Sequence, residues 1–309
     1  MKLFLRNNQF SGLCLLFSVT MIHAQKKVDR KLEKKLAPLI QNFHGTSGIY
    51  VENLKTGKFV AINADTIFPT ASIVKVPILT TVYQKILDGK LTYNQKLIYK
   101  DSLKYGGSGF AQFFKDSTPM DIATAAALMI DYSDNTTSLW LQSLVGGSDT
   151  INAVLDKLGL KDTRDNSRAN REANRKIYGW GQTTPREMAT LLKDIYLKKI
   201  LNPAACESMY RTMSHVYYDN FALSQIPPFI QTASKQGMVD ESRSELVMVN
   251  APHGDYVFYI ATKNNQDQSW QSNNEAWQLA RAISKLLWHY FEPKSNWQPP
   301  VGADIYLGK

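Results

Sequence analysis

The chain has 309 residues, 44% hydrophobic and 20% charged, and 36 Lys and Arg against 27 Asp and Glu give it a formal charge of +9. That is the composition of an ordinary globular protein, long enough for one large domain or two small ones. The basic residues are spread without a Lys/Arg block and no nucleic-acid module is present, so the charge serves solubility or favours anionic surfaces and carboxylate-bearing substrates. The five histidines are scattered, without H-E-x-x-H or paired-cysteine spacing, so no metal site or zinc is expected.

Lys2 and Arg6 precede the apolar run Leu13–Val19, and Met21-Ile22-His23-Ala24 ends it. This pattern reads as a signal peptide, residues 1–24, cleaved after Ala24, because the run is too short to span a bilayer. A retained amphipathic anchor is the alternative. Export to the periplasm or outside the cell follows from the first reading, with no stable membrane insertion afterwards, and loss of Lys2 and Arg6 lowers the formal charge to +7. Of the two cysteines Cys14 leaves with the signal, so the lone Cys206 can form no internal disulfide.

Residues 28–43 read as a helix, 46–53 and 58–64 as the strands of a hairpin about Lys55-Thr56-Gly57, and Ile73 to Leu87 as a buried helix. The loop with Gly106, Gly107 and Gly109 lacks the lysine of a phosphate-binding loop and reads as turn chemistry. Helices are expected from Pro119 to Ile130, Asn135 to Leu144, Asp149 to Leu158, Pro185 to Leu197 and Pro203 to Met213. Between them, 161–182 is polar and aperiodic, a long loop of the kind kept for function. Strands follow at 231–235, 245–250 and 256–262, then an amphipathic closing helix over 274–290 and an extended tail from Pro293. The expected architecture is α/β (α+β). One antiparallel sheet of about five strands is built from both termini (about 28–65 and 225–292) and flanked by helices, with a helical lobe of about 66–224 inserted, all within a single domain of 25–309.

Ser72 and Lys75 open the buried helix. Residues three apart share a helix face, and a lysine sunk among Val74, Val76, Ile78 and Leu79 loses solvation for its charged form, so its neutral amine can take the serine proton. A single S-x-x-K arises by chance in a chain of this size, and a helix cap beside a solvated lysine is the default reading of it alone. Two more motifs follow in order: Ser133-Asp134-Asn135 between two helices, and Lys235-Gln236-Gly237 at the close of a strand. Together with Thr183-Thr184-Pro185 they resemble the active-site set of the penicillin-recognising serine enzymes, S-x-x-K, S-D-N and K-T-G, and in particular class A β-lactamases. The resemblance runs from about Phe43 to Trp288.

The resemblance implies an acyl-enzyme on Ser72, with Lys75 as its base or as proton partner of another base. Ser133 is implied to relay a proton to the leaving nitrogen, Asn135 to hold Lys75 and the substrate amide, and Lys235 to bind the substrate carboxylate. Ser72 and Met238 N–H groups are implied to form the oxyanion hole, while Gly237, Tyr105 and the polar loop border the substrate. Arg243 is either a second carboxylate anchor or a surface charge. No cofactor is implied.

Two departures stand out. Gln236 replaces the threonine of K-T-G, which removes a hydroxyl from the carboxylate site. Aligned on the E-x-E-L-N loop pattern, Asn170 stands where the deacylating glutamate belongs, and an amide cannot act as general base. Glu172 is the nearby carboxylate, a candidate base if the loop shifts and otherwise a salt-bridge partner. The readings are therefore an exported serine acyl-hydrolase acting on a small β-lactam with weak deacylation, a D,D-carboxypeptidase or transpeptidase acting on acyl-D-Ala-D-Ala-like peptides, or a binding module that kept the pocket without turnover.

Overall fold

The computed structural model describes residues 27–167 and 169–307; the segment expected to be a signal peptide, residues 1–24 with Cys14, lies outside them. In chain order the first elements are β1 (Lys27–Val28), α1 (Arg30–Gln41), β2 (Thr46–Asn53), β3 (Lys58–Ile62) and β4 (Phe68–Pro69). A 3-10 turn, Ala71–Val74, leads into α2 (Lys75–Leu87). Then come β5 (Lys96–Ile98), β6 (Pro119–Asp121), α3 (Ile122–Asp131), α4 (Asn135–Leu144), α5 (Gly147–Lys157), β7 (Arg164–Asp165), α6 (Glu172–Tyr178) and β8 (Gly181–Thr183). The chain closes with α7 (Pro185–Tyr196), α8 (Pro203–Met213), β9 (Thr232–Val239), β10 (Ser242–Val249), β11 (Tyr256–Lys263) and α9 (Glu275–Phe291).

The main sheet is six-stranded in the order β1-β3-β2-β11-β10-β9. Its five long strands are antiparallel and come from both ends of the chain, as the sequence predicts; β1 adds a two-residue parallel edge whose Val28 falls where the helix over 28–43 is expected to begin. One face carries α1 and α9, packed through Leu32, Leu36, Ile283 and Leu287. The other face meets the helical part through Ile73, Val76, Leu79, Met188 and Leu192. Strands buried on both faces read as unbroken apolar runs, as Tyr256-Val257-Phe258-Tyr259-Ile260-Ala261 does.

Several boundaries move for identifiable reasons. Pro119 starts a short strand paired with 96–98, and the helix begins only after Asp121, whose carboxylate accepts from Thr124 N. Ser72 sits in the 3-10 turn, one step before the α-helix that Lys75 opens. Residues 161–182 contain β7, α6 and β8, local order that no apolar period announces. Gln236 and Gly237 lie inside β9, which continues to Val239. The tail ends in a 3-10 turn, Ala303–Tyr306.

Candidate active site

Lys75 is fully buried, and its Nζ lies 3.0 Å from Ser72 Oγ, 2.5 Å from Ser133 O, 3.0 Å from Ser133 Oγ and 2.8 Å from Asn135 Oδ1. Burial, then the nearby Lys235 cation, hold its pKa well below the usual lysine value, although Asp134 opposes the shift. The neutral amine can accept the Ser72 proton on its lone pair while its two N–H groups donate to two of the three remaining oxygens. Lys235 Nζ reaches Ser133 Oγ from the other side at 3.1 Å and donates to Gln236 O at 3.0 Å. Its burial lowers its pKa to about 7, while Glu245 and Asp131 pull it the other way. Ser133 Oγ therefore stands between two lysines, a path for a proton.

Local backbone geometry sets these positions. Ala71 and Ser133 both have positive φ, 43° and 53°, strained values held by the surrounding contacts. Asp134, fully buried, accepts from Thr137 N at 2.8 Å as the α4 cap and from Ala111 N at 2.7 Å. The acidic residue of S-D-N is thus the structural pin for the loop on either side. Asn135 N donates to Ser108 O at 3.0 Å, and Thr136 Oγ1 ties both backbone groups of Tyr105, so the glycine-rich loop is stapled to α4. Gly237 is required by close approach, since a Cβ there would lie 2.2 Å from Thr70 O, on the turn that carries Ser72.

Ser72 opens onto two cavities. A cleft of about 620 Å³ is bordered by Tyr105, Asn135, Tyr178, Trp180 and Met238. A second, of about 350 Å³, is bordered by Ser108, Ser133, Tyr218, Gln236 and Trp270. Ser72, Lys75, Ser133, Asn135, Lys235, Gln236, Gly237, Met238 and Tyr105 thus gather in one place. Tyr218, Trp270, Trp180 and Ser108 join them from loops without a motif, and the sequence reading missed them.

Three expected residues are placed elsewhere. Arg243 is buried in the corner formed by Trp270 and Trp277, 4.5 and 5.4 Å from their ring centres, and donates to the carbonyls of Asp240, Ser242 and Ser269. It is neither a surface charge nor, in this arrangement, an anchor facing Ser72. Glu172 faces solvent, two-thirds exposed, and pairs with Lys176 at 3.3 Å, because the loop coils into α6 and turns that side chain outward. Asn170 is exposed in the preceding 3-10 turn and borders neither cavity. The part of the loop that meets the cleft presents Ile177, Tyr178, Gly179 and Trp180.

A model of the beta-lactamase enzyme family matches residues 31–291. The chain belongs to that family. Among its relatives, Beta-lactamase VEB-1 of Pseudomonas aeruginosa is 22% identical over 293 residues, 90% of this chain and 95% of the relative. Beta-lactamase SME-1 of Serratia marcescens is 27% identical over 65% of this chain and 67% of its own length. Among solved structures, PBP-A in its L158E mutant form, an acyl-enzyme complex with penicillin-G, is 25% identical with a TM-score of 0.77, covering 87% of this chain and 98% of that one. A class A beta-lactamase from Mycobacterium abscessus shares the fold at 20% identity and a TM-score of 0.75, covering 84% and 99%. This beta-lactamase family member is a serine hydrolase of class A-like type, and no group of His, Cys, Asp and Glu suited to a metal occurs among its described residues.

Proposed function

We propose that the protein opens β-lactam amides through an acyl-enzyme on Ser72 and releases the acyl group slowly. The observation that carries this is the buried Lys75 hub, within 3.0 Å of both serine hydroxyls. Ser72 Oγ attacks the carbonyl carbon as its proton passes to Lys75 Nζ. The ring C–N bond then breaks as Ser133 Oγ gives its proton to the departing nitrogen, and Ser133 is reprotonated from Lys75. The Lys235 cation favours a carboxylate-bearing substrate and disfavours a second positive charge on Lys75. Slow release is supported by the loop face at the cleft, whose residues 177–180 carry no carboxylate, and by the outward turn of Glu172. The described carboxylate bordering the cleft is Glu241, at the tip of the β9–β10 hairpin. Export belongs to the same proposal, resting on the pattern of residues 1–24.

The same missing carboxylate favours a second reading, a D,D-peptidase acting on acyl-D-Ala-D-Ala-like peptides. Intact-mass spectrometry with a chromogenic cephalosporin, read together with absorbance, separates the cases. The expected result is one burst of colour with a persistent adduct on Ser72. Continuous colour without an adduct would replace slow release with full turnover, and neither signal would remove the β-lactam reading. Release of D-alanine from a synthetic peptide tests the second reading, and N-terminal sequencing of the exported chain tests cleavage after Ala24.

A further inference from the structure

The two cavities at Ser72 differ in what they can receive. Ser133, the hydroxyl placed to protonate the departing nitrogen, borders the smaller cavity and not the larger cleft, so the leaving side of a substrate occupies the smaller one. Its polar equipment is largely committed elsewhere. The Arg243 guanidinium is buried against the Trp270 and Trp277 rings, and Gln236 Nε2 donates to Tyr218 O at 3.2 Å, tying the Tyr218 loop to β9. Tyr218 hydroxyl and Ser108 Oγ are 3.1 Å apart. Away from Ser72, Ser133 and Asn135, what remains available is largely aromatic surface.

Trp270, 45% exposed, forms one wall, backed by the Arg243 guanidinium and Trp277. Tyr218 borders the same cavity and begins a continuous series of rings: Tyr217 at 5.3 Å, Tyr132 at 5.5 Å and Phe110 at 5.1 Å, centre to centre. Tyr217 and Phe110 are more than half exposed, so the series leads from the catalytic serine to solvent. The exposed parts of Tyr217 and Phe110 leave ring surface on which a further ring can pack at ordinary stacking distance.

We propose that Trp270 and the Tyr218–Tyr217 pair are specificity-determining residues on the leaving side, selecting β-lactams that carry a planar, apolar, conjugated substituent there, such as a styryl group at C3 of a cephalosporin. Resting on the acylation reading above, this names the substrate class of that same site. The fused ring enters between Trp270 and Tyr218, and the substituent extends along Tyr217. The Lys235 cation at Ser133 provides the attraction for the carboxylate that Arg243 does not.

The test compares second-order acylation rates, by intact mass and stopped-flow absorbance, for a C3-styryl cephalosporin and for penicillin G, which lacks any such substituent. Their ratio is measured in the wild-type chain and in Trp270→Ala, Trp270→Phe and Tyr217→Ala. Trp270→Ala and Tyr217→Ala are each expected to lower the ratio about five- to tenfold, with Trp270→Phe restoring most of it. The exposed position of Tyr217 makes that variant independent of any disturbance around Arg243. A ratio unchanged in Tyr217→Ala and Trp270→Ala, with acylation still measurable, overturns the subsite alone. Absence of an adduct from either compound in the wild-type chain overturns the acylation reading and the subsite with it.

Discussion

Lys235 is the residue through which pH should act most visibly. Burial lowers its pKa to about 7, so it is a cation below that value and neutral above it. Attraction for a carboxylate-bearing penicillin should therefore weaken as pH rises through about 7. The acylation rate, followed over roughly pH 5 to 9, should show that falling limb, and Lys235→Arg should remove it because a guanidinium stays charged throughout. At Glu172 the expectation is the opposite of a catalytic effect. Glu172→Gln breaks only an exposed pair with Lys176 and should leave acylation and release rates within about twofold and stability within about 0.5 kcal/mol. A large loss of turnover in that variant would return the loop carboxylate to the mechanism.

Among elements, the contact of β9 with the 3-10 turn governs where Ser72 points. Gly237→Ala places a methyl 2.2 Å from Thr70 O and 3.0 Å from Ile73 Cγ1, so the strand and the turn must part. Acylation should fall on the order of a hundredfold while circular dichroism stays native, since displacements of about 1 Å cost that much in such sites. The start of α7 does a different job. Glu187, three residues into the Thr184-capped helix, accepts from the backbone amides of Lys161, Asp162 and Thr163 and from Thr163 Oγ1. It thereby fixes the entrance of the polar loop from outside. Glu187→Gln should cost about 1 kcal/mol in urea unfolding, because the buried Thr163 and the exposed amides of Lys161 and Asp162 lose a charged acceptor. The T-T-P run noticed in the sequence gains from this a physical role in loop anchoring.

For the whole molecule, two apolar clusters on opposite faces of the sheet do the holding. Cys206 is buried and free, donating to Ile200 O, and burial raises its pKa. A chain of residues 25–309 should therefore melt at the same temperature with and without reductant; a shift would reveal a disulfide between copies. The sequence alone determined what depends on near neighbours. Helical spacing brings Ser72 and Lys75 together, Asp134 and Asn135 start α4, and the two-residue alternation and apolar runs mark the five long strands, because each of these is decided within one or two turns of backbone. The tertiary structure alone decided which way separate segments face one another. Arg243 is drawn inward against the indoles of Trp270 and Trp277, 27 and 34 positions downstream. Glu172 is turned outward by the coiling of a loop whose polar composition carries no period. The aromatic surface at the cavity beside Ser133 is assembled from Trp270 and from the stacked series Tyr218, Tyr217, Tyr132 and Phe110, positions that no local pattern connects and that only the packing of separate segments brings together.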